Sequence, residues 1–144
     1  MFSKACEYGI RALIFIAMKS SKDERVGNTA IAIAIDSPSA FTAKILQKLV
    51  KAKIIKSVKG PYGGFEISEE GLHQTKLTAI VKAIDGDAVY NRCGLGLSEC
   101  SALKPCPLHD KFKAVRADLK TILDATTLKE LASQLEDGTA FLKL

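Results

Sequence analysis

The residues best suited to chemistry stand in one stretch, residues 93–109, which reads CGLGLSECSALKPCPLH. It contains three of the chain's four cysteines, Cys93, Cys100 and Cys106, and His109 follows the last of them by three residues. Thiolates and imidazoles are ligands for zinc and for iron–sulfur clusters. The glycines of the stretch allow the backbone to come close to an inorganic core. This stretch is therefore a candidate metal or cluster site.

The spacing of the donors favours an iron–sulfur cluster over zinc. Six residues separate Cys93 from Cys100 and five separate Cys100 from Cys106, whereas structural zinc sites usually contain cysteine pairs two to four residues apart. A zinc site, a thiol redox switch and three reduced thiols without a cofactor stay open as alternatives. Pro107 suits the first position of a helix. Cys106 would then stand at a helix N-terminus, where free N–H groups stabilise a thiolate.

The size and composition of the chain limit what can surround this stretch. Its 144 residues suffice for one domain, or for a small domain with an oligomerisation element. No segment approaches the roughly 20 apolar residues of a membrane span, and the N-terminal apolar run lacks a cleavage pattern. We therefore expect a cytoplasmic protein, in which clustered cysteines favour metal or redox chemistry over structural disulfides. No nucleophile–base pair, phosphate loop or paired-carboxylate motif indicates an enzyme.

The N-terminal half predicts a winged helix-turn-helix. Apolar periodicity predicts a buried helix over residues 3–19 and a short second helix that ends at Ile35. Ser37 followed by proline predicts the cap of a longer helix over residues 38–51. An alternating strand over residues 53–60, a Gly-Pro-Tyr-Gly-Gly turn and a second short strand follow. The expected fold is mainly α with a small β-hairpin wing.

Positive charge is concentrated in the predicted recognition helix and wing. Residues 37–65 contain six lysines and no acidic residue, although the whole chain carries a net charge of only +5. A basic helix and wing of this kind predict binding to double-stranded DNA. We expect phosphate contacts from Lys44, Lys48 and Lys51, contacts near base edges from Ser39, Ala40, Ala43 and Gln47, and wing contacts from Lys59 and Tyr62.

A long helix is predicted from Pro107 onward. Five apolar residues recur along it at intervals of four, three, four and three: Leu108, Phe112, Val115, Leu119 and Ile122. This heptad seam predicts a dimerisation helix and a homodimer, and the alternative is a helix packed on its own domain. We divide the chain into a DNA-binding region, residues 1–85, and a sensor and dimerisation region, residues 86–144. A capping box at residues 127–130 begins the final helix.

The chain resembles the Rrf-two (Rrf2) family of bacterial winged-helix transcription regulators, which includes the IscR, NsrR and CymR types. The resemblance rests on EYGIRALIFIA at residues 7–17 and AKILQKLVKAKIIKSVKGPYGGF at residues 43–65. It continues in the three-cysteine loop, the long helix and TTLKEL. The family implies a homodimer that places two winged helices on a palindromic operator. Ala43 and Lys59 depart from common family residues, which leaves the operator sequence open.

The resemblance also implies a cofactor. Cluster-binding members hold a two-iron or four-iron cluster on three loop cysteines, here Cys93, Cys100 and Cys106, and on one further ligand. In members of the IscR type that ligand is a histidine at the position of His109; in the NsrR type it is an acidic residue of the partner subunit's first helix, which Glu7 resembles. The interval between the first two cysteines is one residue longer than in the IscR type, which leaves the cluster type open.

These observations predict a dimeric DNA-binding transcription regulator. Its operator affinity would be controlled by an iron–sulfur cluster at the three-cysteine loop, in response to redox state, nitric oxide or cluster status. The alternative is a cluster-free winged-helix regulator that is controlled by a partner protein, by a small molecule, or by thiol or zinc chemistry. The fourth cysteine, Cys6, is expected to be a small buried apolar side chain.

Overall fold

The computed structural model describes residues 1–142, so the last two residues of the predicted 86–144 region lie outside the described part. Within it, eight helices accompany one two-stranded antiparallel sheet, in agreement with the expected fold class. The elements are α1 Lys4–Ser20, α2 Asn28–Ala34, α3 Ser39–Lys51, β1 Lys56–Val58, β2 Gly64–Glu66, α4 Glu69–Gln74, α5 Leu77–Asp85, α6 Ala88–Asn91, α7 His109–Ala125 and α8 Leu128–Glu136.

Helix α1 is the centre of the fold. The Ser3 hydroxyl caps it by accepting from the Cys6 N–H at 3.0 Å, and the Ser3 N–H donates to Asp85 Oδ2 at 3.0 Å. Its apolar residues contribute to one core that also contains residues of α2, α3, α5 and α8. At Gly9 a Cβ atom would overlap the Ile84 side chain, so glycine allows α1 to approach α5 closely.

Helices α2 and α3 form the helix-turn-helix. They are bent by 111° relative to each other, within the usual range for this motif. Within residues 1–142 no single helix is long and apolar enough to cross a membrane. Of the helix pairs there, only α2 and α3 taken together have sufficient length and apolar composition, and this pair is sharply bent. The prediction that Ser37 caps α3 is wrong. Pro38 is the N-cap, and the buried Thr42 hydroxyl lies 2.9 Å from the Ser37 hydroxyl and 3.0 Å from the Pro38 carbonyl.

The wing is shorter than the sequence predicts. Strand β1 has three residues and pairs with β2 in the register Lys56–Glu66, Ser57–Phe65 and Val58–Gly64. A bridge with Val26 joins the hairpin to the segment before α2, because the Phe65 N–H donates to the Val26 carbonyl at 2.8 Å. The hairpin is thus attached to the helix-turn-helix by main-chain hydrogen bonds.

The C-terminal part returns to the N-terminal helices. Helix α8, capped by the Thr127 hydroxyl as predicted, packs against α1 and α4, and α7 packs against α5 and α6. Helix α7 begins at His109, so the prediction that Pro107 is its first residue is wrong: Leu108 is the N-cap. Two short helices, α4 and α6, were not predicted from the sequence. Each has fewer than seven residues, too few to show apolar periodicity.

Replacing Leu46 by alanine tests the core between α3 and α1. Leu46 is 0% exposed, and loss of such a side chain leaves a cavity, so we expect the free energy of unfolding to fall by about 2–5 kcal/mol. Chemical denaturation followed by circular dichroism measures the difference. Leu103→Ala is the matched control, because Leu103 is 94% exposed. Equal losses in the two variants would contradict this packing.

Candidate functional site

The cysteine loop joins α6 to α7 and is organised in two pairs of donor atoms. Cys93 Sγ lies 3.9 Å from Cys106 Sγ. Cys100 Sγ lies 3.5 Å from Nδ1 of His109, the first residue of α7. Cys93 and His109 are buried, and the other two cysteines are partly buried. One loop and one helix end therefore hold the four donors that the sequence singles out, in two close pairs.

The two distances have a simple chemical meaning. Two thiolates on one tetrahedral ion with metal–sulfur bonds of about 2.3 Å lie about 3.8 Å apart, and a thiolate and an imidazole nitrogen lie about 3.6 Å apart. Each pair thus has the spacing of two ligands on one ion. Among residues 1–142, no three His, Cys, Asp or Glu side chains group closely enough to hold one metal ion together. The four donors thus form two separate pairs.

The loop backbone stabilises the thiolate form of one cysteine. The N–H groups of Leu95 and Leu97 donate to Cys93 and, with smaller contributions from Cys106 and Arg116, hold the pKa of the Cys93 thiol below its usual value. At Gly94 a Cβ atom would overlap the ring of Phe112, so this part of the loop lies directly on α7. A thiolate is the form that binds metals.

Cys6 has the opposite environment. It is fully buried in α1, as expected, and burial, with a further contribution from the nearby Asp85 carboxylate, raises the pKa of its thiol to about 12. It therefore stays protonated at neutral pH and differs from the loop cysteines in its chemistry.

Arg116 is a site residue that sequence reasoning missed. Its Nη2 atom donates to Cys100 Sγ at 3.4 Å, and its Nη1 atom donates to the Arg92 carbonyl at 3.0 Å. The sequence contains a signal that could have found it. Arg116 follows His109 by seven positions along α7, which places both on the same face of a helix with 3.6 residues per turn.

The two candidates for the fourth ligand have different surroundings. His109 is beside Cys100 within one chain. Glu7 lies in the first turn of α1, where its partly exposed carboxylate accepts from Lys4 Nζ at 2.8 Å. That hydrogen bond and the charge of Lys4 lower the pKa of the Glu7 carboxyl. A ligand role for Glu7 needs a second copy of the chain, and both assignments stay predictions.

Helix α3 has one buried face and one basic face. Thr42, Ile45, Leu46 and Leu49 are buried. The exposed face begins at Ser39 and carries six of the predicted DNA contacts, whereas the seventh on this helix, Ala43, is half-buried. The exposed side chains are Ser39, Ala40, Lys44, Gln47, Lys48 and Lys51. This arrangement presents a row of ammonium groups along one side of the helix.

The predicted contact residues of the wing are exposed to solvent, and an arginine from outside the hairpin holds the wing by hydrogen bonds. Lys59 and Tyr62 are exposed. Arg25, which sequence reasoning missed, donates through Nε to Glu66 at 2.7 Å and through Nη1 to the Tyr62 carbonyl at 3.4 Å. Arg25 therefore connects the segment before α2 to both the strand and the tip of the wing.

The predicted seam on α7 is only partly covered by its own chain. Phe112 and Leu119 are partly buried, whereas Val115 is 52% and Ile122 is 60% exposed. A cavity of about 740 Å³ lies beside them, with Phe2, Cys93, Arg116 and three of the seam residues in its lining. The exposed part of the seam thus borders the cysteine loop.

Comparisons with known proteins agree on one class. A family model described as Rrf2, iron-dependent transcriptional regulator, matches residues 2–134. A protein of Aquifex aeolicus whose name assigns it to the HTH-type transcriptional regulators is 33% identical over 135 residues, which is 91% of this chain and 90% of that protein.

Two solved structures share the fold. CymR, the global cysteine regulator of B. subtilis, superposes with a TM-score of 0.74 and 23% identity, over 92% of this chain and 96% of that one. T. potens IscR superposes with a TM-score of 0.74 and 19% identity, over 97% and 91%. These likenesses support the winged-helix architecture.

Proposed function

The chain belongs to the Rrf2 family of transcriptional regulators, and from this premise we propose that it is a homodimer whose operator affinity depends on an iron–sulfur cluster. The observation that carries the proposal is the pairing of donors in the cysteine loop, Cys93 with Cys106 and Cys100 with His109. Three thiols and one imidazole are a donor set that iron–sulfur chemistry accepts.

The pairing favours a two-iron cluster over a four-iron cluster. In a two-iron cluster each iron takes two protein ligands, and mixed cysteine and histidine ligation of such clusters is known. Cys93 and Cys106 would hold one iron, and Cys100 and His109 the other. In a four-iron cluster each iron takes one protein ligand, so ligands are not expected in close pairs. When bound, the cluster would supply one-electron redox chemistry and reactivity toward nitric oxide.

The loop has a physical route to the rest of the molecule. Gly94 lies against Phe112 of α7, and Arg116 of the same helix contacts both Cys100 and the Arg92 carbonyl. Rearrangement of the loop would therefore move α7 and change the relative orientation of two winged helices in a dimer. A coupling free energy of about 1–3 kcal/mol would change operator affinity about 5- to 150-fold.

The basic face of α3 and the wing supply the DNA contacts. Lys44, Lys48 and Lys51 would neutralise phosphates, and Ser39, Ala40, Ala43 and Gln47 would lie near base edges. Lys59 and Tyr62 at the wing would contact a minor groove or the backbone. The exposed Val115 and Ile122 would be covered by the second copy, so that two such units face one palindromic operator.

A second candidate function is thiol control without a cluster. It is favoured by the short distance between Cys93 Sγ and Cys106 Sγ, since these two thiols could close a disulfide after a modest movement. The fold is also shared with CymR, a cysteine regulator. Analysis of iron and sulfide separates the two candidates, because thiol control needs neither element.

The cluster proposal predicts the composition of anaerobically purified protein. We expect about two irons and two acid-labile sulfides per chain, with visible charge-transfer absorption, because the donors form two pairs. Cys93→Ala, Cys100→Ala and Cys106→Ala should each lose the cluster and change operator affinity, as measured by fluorescence anisotropy with labelled DNA. Cys6→Ala is the matched control and should retain iron. The proposal would be contradicted by a colourless native protein that binds the operator with full affinity and by a Cys93→Ala variant that binds it equally well.

The DNA proposal predicts the effect of Lys48→Ala. Loss of one phosphate contact should weaken binding about equally on all sequences and make the slope of log affinity against log salt shallower by about one. Fluorescence anisotropy titrations at several salt concentrations measure both effects. Lys113→Ala removes the same charge from an exposed position of α7 and should leave the slope unchanged. Identical slopes for the native protein and Lys48→Ala would remove Lys48 from the interface.

The dimer proposal predicts that Ile122→Glu dissociates the protein. A buried unpaired carboxylate in the seam is costly, so the mass in sedimentation equilibrium should fall from twice the chain mass of 15.5 kDa to that of one chain. Thr121→Glu introduces the same charge at the neighbouring exposed position and should stay dimeric. A dimeric Ile122→Glu variant would show that the seam is not the interface.

A further inference from the structure

We propose that Arg116 is a positioning residue for the cysteine loop that raises the reduction potential of the cluster by donating a hydrogen bond to the sulfur of Cys100. The inference rests on the proposed function, since it concerns a cluster held by Cys100. It adds a residue that lies outside the ligand set and assigns it an electronic role.

The geometry fixes the guanidinium between two parts of the loop. One nitrogen donates to the Arg92 carbonyl at 3.0 Å, directly before Cys93, and the other donates to Cys100 Sγ at 3.4 Å. The guanidinium therefore reaches both pairs of donors. It contacts Cys100 of one pair directly, and it contacts the carbonyl of the residue that precedes Cys93 of the other pair. The planar guanidinium suits this task, because one nitrogen is held by the carbonyl while the other is directed at sulfur.

The direction of the effect follows from charge. One-electron reduction by an external reductant adds one negative charge to the cluster and its thiolates, with no bond to protein made or broken. A cationic donor to a ligand sulfur stabilises the more negative state, and hydrogen bonds to the sulfurs are among the factors that set cluster potentials. Arg116 thus favours the reduced cluster, and its removal shifts the midpoint potential to a more negative value.

A purely structural role makes a different prediction. If Arg116 only held the loop through the Arg92 carbonyl, its loss would lower the unfolding temperature of the cluster-free protein and leave the potential of the assembled cluster unchanged. The potential is therefore the readout that distinguishes the two roles, and the unfolding temperature reports on the loop alone.

The test compares three variants in the full-length dimer. Arg116→Gln removes the charge, Arg116→Lys keeps it but cannot reach both partners, and Lys111→Gln removes one charge from an exposed position of the same helix. Anaerobic titration with dithionite, followed by visible absorbance, gives the midpoint potential of each. We expect the most negative potential for Arg116→Gln, an intermediate one for Arg116→Lys, and the native value for Lys111→Gln, whose charge is screened by solvent.

The outcomes separate this inference from the proposed function. Equal potentials in the native protein and Arg116→Gln, with clusters present in both, overturn the inference and leave the proposed function intact. A shift of equal size in Lys111→Gln also overturns it, because the effect would then be a general effect of charge. If Arg116→Gln does not retain its cluster, the midpoint potential of Arg116→Lys must still be more negative than that of the native protein; an unchanged potential would overturn the inference. Native protein that assembles no iron and sulfide overturns both proposals together.

Discussion

The burial of α1 on several sides is the constraint on which the rest of the structure depends. This one helix packs against α2 and α3 of the helix-turn-helix, against α5, and against the C-terminal helix α8. Gly9 makes the close contact with α5 possible, and Ser3 fixes the start of α1 to Asp85, the last residue of α5. Because α1 packs against elements from both halves of the chain, the recognition helix α3 and the helix α5 that leads to the cysteine loop belong to the same core.

That shared core determines how a change at the loop can reach DNA. The loop lies between α6 and α7, and α7 packs on both α6 and α5. Close packing resists small continuous deformation, since interiors are as dense as organic crystals. A rearranged loop is therefore expected to move α7 as a rigid element, which would alter the geometry of a dimer with little change inside each winged helix.

Long, strongly patterned elements could be predicted from the sequence, and short or tertiary features could not. The apolar stripe of α1, the lysine face of α3 and the donors of the cysteine loop are encoded by spacing within each segment. The sequence predicts Ser37 as the cap of α3 because hydroxyls usually cap helices, but Pro38 is the N-cap and the Ser37 hydroxyl lies within hydrogen-bond distance of Thr42. Arg25 and Arg116 were missed because their partners, Glu66 and Cys100, lie 41 and 16 residues away in sequence. The pairing of donors likewise depends on how the loop folds.

The arrangement on α7 explains why the proposed metal site would suit a sensor better than a catalyst. His109, Phe112 and Arg116, spaced by three and four residues, share the face that contacts the loop, and Val115 and Ile122 lie on the adjoining face of the same helix. Phe112 belongs to the seam and also touches the loop at Gly94. The same few turns of helix therefore carry the proposed cluster ligand His109, the Arg116 donor to the Cys100 sulfur and the apolar surface proposed for the second subunit. A change of charge or ligation at the sulfurs would act directly on the surface that, in the proposed dimer, would set the distance between two DNA-binding units.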